Sequence, residues 1–153
     1  MVAEVLRQHG YATGCFGKWH LTPSWEQGPA GPFDRWPTGQ GFDRFYGIVG
    51  AEASHYEPPV YDQTTPVQPH VGRDDYHLTE DLADKAIEWI RRHRASAPDR
   101  PFFCYFSTAA VHAPHHVWPE WVEPFEGTFD QGWDRLRDDI HQRQLDLGVI
   151  PPG

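Results

Sequence analysis

The chain has 153 residues and a formal net charge of −9 with its ten histidines neutral, a balance that excludes a general nucleic-acid-binding surface and requires any anionic partner to be held locally. Glycine and proline are frequent, at 14 and 15 residues, yet the 14% aromatic and 39% hydrophobic content is too high for disorder, so an ordered, loop-rich chain of one-domain size is expected. No apolar run reaches the roughly 18 residues of a membrane span, and residues 1–10 lack the basic-then-apolar layout of a signal peptide, which favours the cytoplasm without assigning a compartment. Cys15 and Cys104 stand 89 positions apart in apolar runs with no CxxC spacing, and read as buried thiols rather than a zinc ribbon or a disulfide framework. Charge is uneven: net 0 over residues 1–50, −4 over 51–100 and −5 over 101–153, so the first third is the part best suited to face an anion.

In chain order, Val2, Val5 and Leu6 recur at i, i+3 and i+4 and predict a short amphipathic helix that stops at Gly10. Residues 11–16 then read as a short buried strand closed by Gly17. From Pro23 to Pro69 the chain is dense in glycine, proline and aromatics without a regular period, and Gly28-Pro29-Ala30-Gly31-Pro32 rules out a helix locally. The most aromatic patch of this long irregular segment, residues 41–47, reads as a pinned loop with its rings in the core. Residues 80–94 form the clearest helix. Thr79 is its expected N-cap, Leu82, Ala83, Ala86, Ile87 and Ile90 are its inward stripe, and Arg91, Arg92 and Arg94 complement its end. The unbroken run Phe102-Phe103-Cys104-Tyr105-Phe106-Ser107 predicts a strand buried on both faces, the habit of a parallel sheet. A last helix, residues 133–147, turns Leu136, Ile140 and Leu145 or Leu147 inward and stops at Gly148. Two helix-then-strand units argue for an α/β architecture with a mostly parallel sheet, flanked by helices and long irregular loops.

Two histidine-bearing segments follow predicted strands, the place where ligands gather in open α/β sheets. In Gly17-Lys18-Trp19-His20-Leu21, a continued extended backbone sends Lys18 and His20 to the same side. A lysine there would offset charge on a tetrahedral oxyanion and an imidazole would move a proton near neutral pH. A surface lysine beside a satisfied core histidine is the plainer alternative on spacing alone. In the second segment His112, His115 and His116 crowd five positions. Pro114 prevents the regular helix that would align them on a metal, and His112, the first after the strand, is the better acid-base candidate. Asp74-Asp75 and Asp138-Asp139 read as solvated pairs rather than metal sites.

These residues resemble a known family. Residues 10–21, GYATGCFGKWHL, look like the helix-end, strand and GKWHL element of the sulfatases, in the alkaline-phosphatase-like superfamily. Residues 39–47, GQGFDRFYG, are similar to the GFD-aromatic-G element that follows it, and residues 101–106 leading to His112-Ala113-Pro114 resemble the strand and HxP element further on. The resemblance implies hydrolysis of a sulfate ester by a formylglycine nucleophile made from cysteine, beside a bound divalent cation, usually calcium. It implies that Lys18 and His20 contact the nucleophile and the sulfate, that His112 assists the sulfate and the leaving group, and that Ser54 matches a further sulfate contact. A small sulfate ester or a sulfated glycan is the implied substrate.

The departures matter as much. Neither Cys15-Phe16-Gly17 nor Cys104-Tyr105-Phe106 fits the Cys-x-Pro-x-Arg element that the family converts. The early Asp-Asp pair, the later Asp-Asn pair and the second sulfate-binding lysine of the pattern have no counterpart. The chain therefore reads, over residues 1–153, as the central portion of a sulfatase catalytic domain. Such a piece is a partial alkaline-phosphatase-like sandwich without the nucleophile or metal-ligand segments, inactive alone and exposing apolar surface. Its opening at Met1 fits either a truncated reading frame or a fragment. Two other readings stay open: a phosphonate or phosphate monoester hydrolase of the same superfamily, and a non-catalytic anion-binding module that keeps Lys18, His20 and His112.

Overall fold

The computed structural model describes residues 1–151. The chain divides into two compact units, Met1–His116 and Val117–Gly153. The first holds a five-stranded mixed sheet made of β1 (Ala12–Lys18), β2 (Arg44–Ile48), β3 (Val60–Asp62), β4 (Thr65–Val67) and β5 (Phe102–Ser107), in the order β4-β3-β2-β1-β5. The expected α/β class stands, and the parallel part of the sheet is its centre and one side, where β1 runs parallel to both β2 and β5. The antiparallel hairpin β3–β4 and the strand β2 lie inside the segment read from the sequence as irregular. Three-residue strands are too short to display alternation, which is why that stretch looked periodless.

Side chains of the central strands alternate between two cores, as a period of two requires. Phe16, Tyr46 and Ile48 meet Leu78, Leu82 and Ala86 of the long helix α2 (Leu78–Ser96). Cys15 and Phe45 meet Trp19, Trp36, Phe42 and Ala3 of the short helix α1 (Val2–Gln8) on the other face. The aromatic residues of the loop before β2 are therefore core, as expected. Loop carbonyls hold the two large indoles in place: Trp19 Nε1–H donates to Arg35 at 2.8 Å and Trp36 Nε1–H to Glu26 at 2.7 Å. Asp81 of α2 accepts from the hydroxyls of Tyr46 (2.6 Å) and Tyr76 (3.0 Å), fixing the helix on the sheet. Burial, reinforced by the Asp81 carboxylate, pushes both phenols well above their ordinary range.

Four expectations need correction. In α1 the buried residue is Ala3, while Val2 and Val5 are more than half exposed. Gly41 explains this, since a Cβ there would lie 2.4 Å from the Glu4 nitrogen, so the loop meets the helix by a backbone approach that only small residues permit. In α2, Leu78, Leu82 and Ala86 form the buried stripe and Ile87 is exposed, and the N-cap is His77, not Thr79. Strand β5 is not buried on both faces: Tyr105 and Phe106 are 41% and 43% exposed, because it is an edge strand paired with β1 alone. In the second unit, with α3 (Pro119–Val122) and α4 (Trp133–Asp146), Leu136 and Leu145 are half-buried, but Ile140 and Leu147 are exposed. Trp133 at 91% exposure, with Trp121, Phe125 and Phe129, presents the apolar surface that was anticipated.

Candidate active site

Three loops leave the carboxyl ends of the parallel strands, and hydrogen bonds join them at that edge. After β1, the amides of Trp19 and His20 donate to the carbonyls of Ile48, the last residue of β2, and Val49, the first beyond it, at 2.9 and 3.1 Å. The loop after β2 carries Glu52, Ser54 and His55, and the loop after β5 carries His112 and His116. Glu52 Oε2 lies 3.7 Å from His112 Nδ1, and the backbone N–H of His55 donates to His116 Nδ1 at 3.3 Å. This gathering is the switch-point arrangement of open α/β sheets.

Lys18 ends β1 half-buried. The expected side-by-side projection of Lys18 and His20 rested on extended backbone through both residues, but the strand stops at Lys18 and His20 is left-handed, with φ +57°. Pleat alternation therefore does not set the direction of the His20 side chain, which is exposed. His112 is also exposed. Its amide donates to the Ala109 carbonyl at 3.0 Å and its Nδ1–H to the Ala113 carbonyl at 2.7 Å, so Nε2 is the ring nitrogen turned to other work. Glu52 and His112 are both about half exposed or more, and an ion pair so placed contributes little to stability. Ser54 Oγ accepts from the amides of Tyr56 (3.2 Å) and Glu57 (3.1 Å) in a tight turn, roles that leave its hydroxyl proton for donation.

A second histidine cluster lies beside these loops, and of its members only His77 had no signal in the sequence. His55, His77 and His116 form a cluster in which His55 and His77 are buried, with rings 5.4 Å apart and edge-on. Burial holds the His55 imidazole below its ordinary pKa, as do the neighbouring rings. His55 beside Ser54 was visible as a sequence neighbour, but nothing local marks His77, which lies 39 positions before His116. Asp74, Asp75, Asp138 and Asp139 are exposed, as expected of solvated pairs.

Neither cysteine offers a nucleophile. Cys15 is buried, and burial followed by the proximity of Cys104 pushes its thiol up to about 12; burial also raises Cys104. Among the described residues no group of three or more His, Cys, Asp or Glu side chains could hold a metal ion, His112, His115 and His116 included. No helix among them is long and apolar enough to cross a membrane.

Comparisons with known proteins place the chain in a family. An uncharacterized sulfatase of Schizosaccharomyces pombe is 27% identical, over 97% of this chain and 27% of its own length. Human arylsulfatase A is 37% identical, over 74% of this chain and 25% of its own. The chain thus spans about a quarter of the length of these relatives. Among solved structures, Ps i-CgsB in complex with a neocarrahexaose is similar with a TM-score of 0.64 at 22% identity, over 81% of this chain and 29% of that one. A protein solved in complex with its substrate D-glucosamine-2-N,6-O-disulfate is similar with a TM-score of 0.57 at 23% identity, over 83% and 22%. At these identities the structures speak for the fold, which is alkaline-phosphatase-like. Membership of the family implies, in general, a metal ion and a formylglycine. The sulfatase family model matches residues 1–147, and the chain belongs to the sulfatase family.

Proposed function

We propose that the complete protein hydrolyses sulfate esters, of the arylsulfatase kind, and that this chain supplies Lys18, His20, His112 and Ser54 to the site. The observation that carries the reading is the sulfatase family match over residues 1–147, with Lys18 at the end of β1 and the other three on loops that leave the same edge of the sheet. A sulfate ester carries its charge on peripheral oxygens. The Lys18 ammonium offsets that charge, the Ser54 hydroxyl donates to a sulfate oxygen, and His20 adds a further contact. As the bond from sulfur to the ester oxygen breaks, protonated His112 delivers its Nε2 proton to the departing oxygen and is left neutral.

In this family a formylglycine supplies the nucleophile, and a divalent cation, calcium in this proposal, would withdraw charge from the sulfate when bound. The described residues fit neither group, as Cys15 and Cys104 lack a convertible context and no metal-holding cluster occurs among them. No step is therefore assigned to either. A sulfated sugar is the favoured substrate, because a structural neighbour is solved with a glucosamine disulfate as its substrate.

The test is turnover by the complete protein of an aryl sulfate, an aryl phosphonate and a sulfated sugar, with and without Lys18→Ala. Sulfate turnover lost in the variant supports the proposal. Preference for the phosphonate would transfer the site to the related hydrolases, and no turnover of any ester would leave an anion-binding module.

A further inference from the structure

The loop after β5 is fastened through one residue. The carbonyl oxygen of His116 accepts two ring donors, His55 Nδ1–H at 3.2 Å and His77 Nε2–H at 3.1 Å. A carbonyl can only accept, so each of those ring nitrogens carries a proton. His77 Nδ1 in turn accepts the Thr79 amide at 3.2 Å as the N-cap of α2, and His116 Nδ1 accepts the His55 amide at 3.3 Å. The network therefore specifies all three tautomers: hydrogen on Nδ1 of His55, and bare Nδ1 on His77 and His116. Tyr56 stacks on the His116 ring at 4.9 Å and 13°, and the Leu78 amide donates to the His55 carbonyl at 2.8 Å. Post-β2 loop, start of α2 and post-β5 loop meet at this point.

By contrast, the hydrogen bonds made by the stretch just before it are local, and its longer-range contacts are the buried Ala109, packed in the core with Phe16 and Leu82, and Glu52 Oε2, 3.7 Å from His112 Nδ1. Thr108 Oγ1 donates to Ala110, His112 N–H to Ala109 and His112 Nδ1–H to Ala113. Such a stretch keeps its place in the molecule mainly through its ends, since the exposed Glu52 contact contributes little. One end is β5 and the other is His116, four positions from His112.

We infer that His55 and His77 are positioning residues for His112: their ring donors, converging on the His116 carbonyl, hold the post-β5 loop where His112 acts. This rests on the reading of His112 as a group of the sulfate-ester site. The histidines are specific here because one aromatic ring must fill the space between the loops and also present a donor at a defined ring atom.

Nitrogen NMR of the imidazoles in the wild-type 153-residue chain tests the network without any variant. Expected are the Nδ1–H form of His55 and the Nε2–H form of His77, and the opposite form at either ring overturns the inference. Hydrogen exchange at the His112 amide supplies the second test. His55→Phe and His77→Phe should raise it roughly tenfold, as loss of a buried donor allows, against unchanged exchange in β1 and β2. His55→Asn and His77→Gln, whose amides place N–H near the lost ring positions, should recover most of that protection. Unchanged loop exchange, or an equal rise through the whole unit, overturns the inference. In the complete protein His55→Phe should lower kcat with KM little changed. A harmful His112→Ala beside a harmless His55→Phe overturns the positioning alone, whereas a harmless His112→Ala overturns the reading of His112 on which it depends.

Discussion

A Cβ atom on Gly17 would lie 1.8 Å from the carbonyl oxygen of Ser107, its register partner across β1 and β5. Gly17 also has φ +126°, a conformation that side chains rarely adopt. The residue immediately before Lys18 therefore has to be glycine for two independent reasons. Gly17→Ala is expected to cost more than about 2 kcal/mol of stability, measured as a fall in unfolding midpoint in urea. A variant as stable as the wild type would mean that β1 and β5 do not meet in this register.

The isolated chain is expected to show no sulfatase activity when calcium and a formylglycine-generating enzyme are supplied, since neither cysteine has a convertible context. Steady turnover of an aryl sulfate by the purified chain is the contrary result.

Burial, followed by the proximity of Cys104, pushes the Cys15 thiol up to about 12 in the folded chain from an ordinary 9.0. The folded state disfavours the thiolate, so the stabilisation from keeping Cys15 protonated is complete below pH 9 and is lost as pH rises from there through about 12. At pH 8 Cys15 should resist a thiol reagent until the chain unfolds. Rapid labelling of the native chain at Cys15 would show that β1 is not enclosed.

In the complete protein Lys18→Ala should cost catalysis about 2.7 to 4 kcal/mol, a hundred- to thousandfold, as for loss of one preorganised charged partner. Arg44→Ala should act on stability instead, by about 1 kcal/mol. Arg44 Nη2–H donates to Asp62 at 3.0 Å and Nη1 makes a second bond to the same carboxylate, bracing β2 against β3. Rates and melting curves for both variants check the division, and comparable catalytic losses would contradict it.

His112→Ala should slow esters with poor leaving groups most, because a nitrophenolate-like group departs without a proton. The measurement is the rate across aryl sulfates of graded leaving-group acidity. An equal loss at every acidity removes the general-acid role.

What the sequence displayed was what local pattern can carry. The helix over residues 80–94 and the strand over residues 102–107 were legible from one face of apolar residues and one unbroken run, and α2 and β5 contain both. The three motif segments marked the end of β1 that bears Lys18, the strand β2 that leads to Ser54, and the loop that bears His112. Burial was less legible, since it depends on neighbours distant in the chain. Val5 looked like core and Ala3 did not, because the deciding contact is the backbone of Gly41. His77 could not be distinguished from Thr79 as the cap, since its Nδ1 reaches the Thr79 amide only with the ring anchored by His116, itself 39 positions away. The left-handed turn at His20 has no residue-type signal either, as glycine or asparagine would have supplied one.

The two margins of the sheet are chemically unlike. At β4, Thr65 closes the two-residue turn against Asp62, so the next pair, Tyr61 and Pro66, turns the Pro66 nitrogen outward. Proline has no hydrogen to give there, and a strand arriving on that side finds no donor at that position. At β5 the outer margin is Phe102-Phe103-Cys104-Tyr105-Phe106-Ser107, with neither a proline nor a charge to repel a newcomer. Growth of the sheet is thus polarised: further backbone can be recruited beside the strand that leads to His112, and is discouraged at the hairpin.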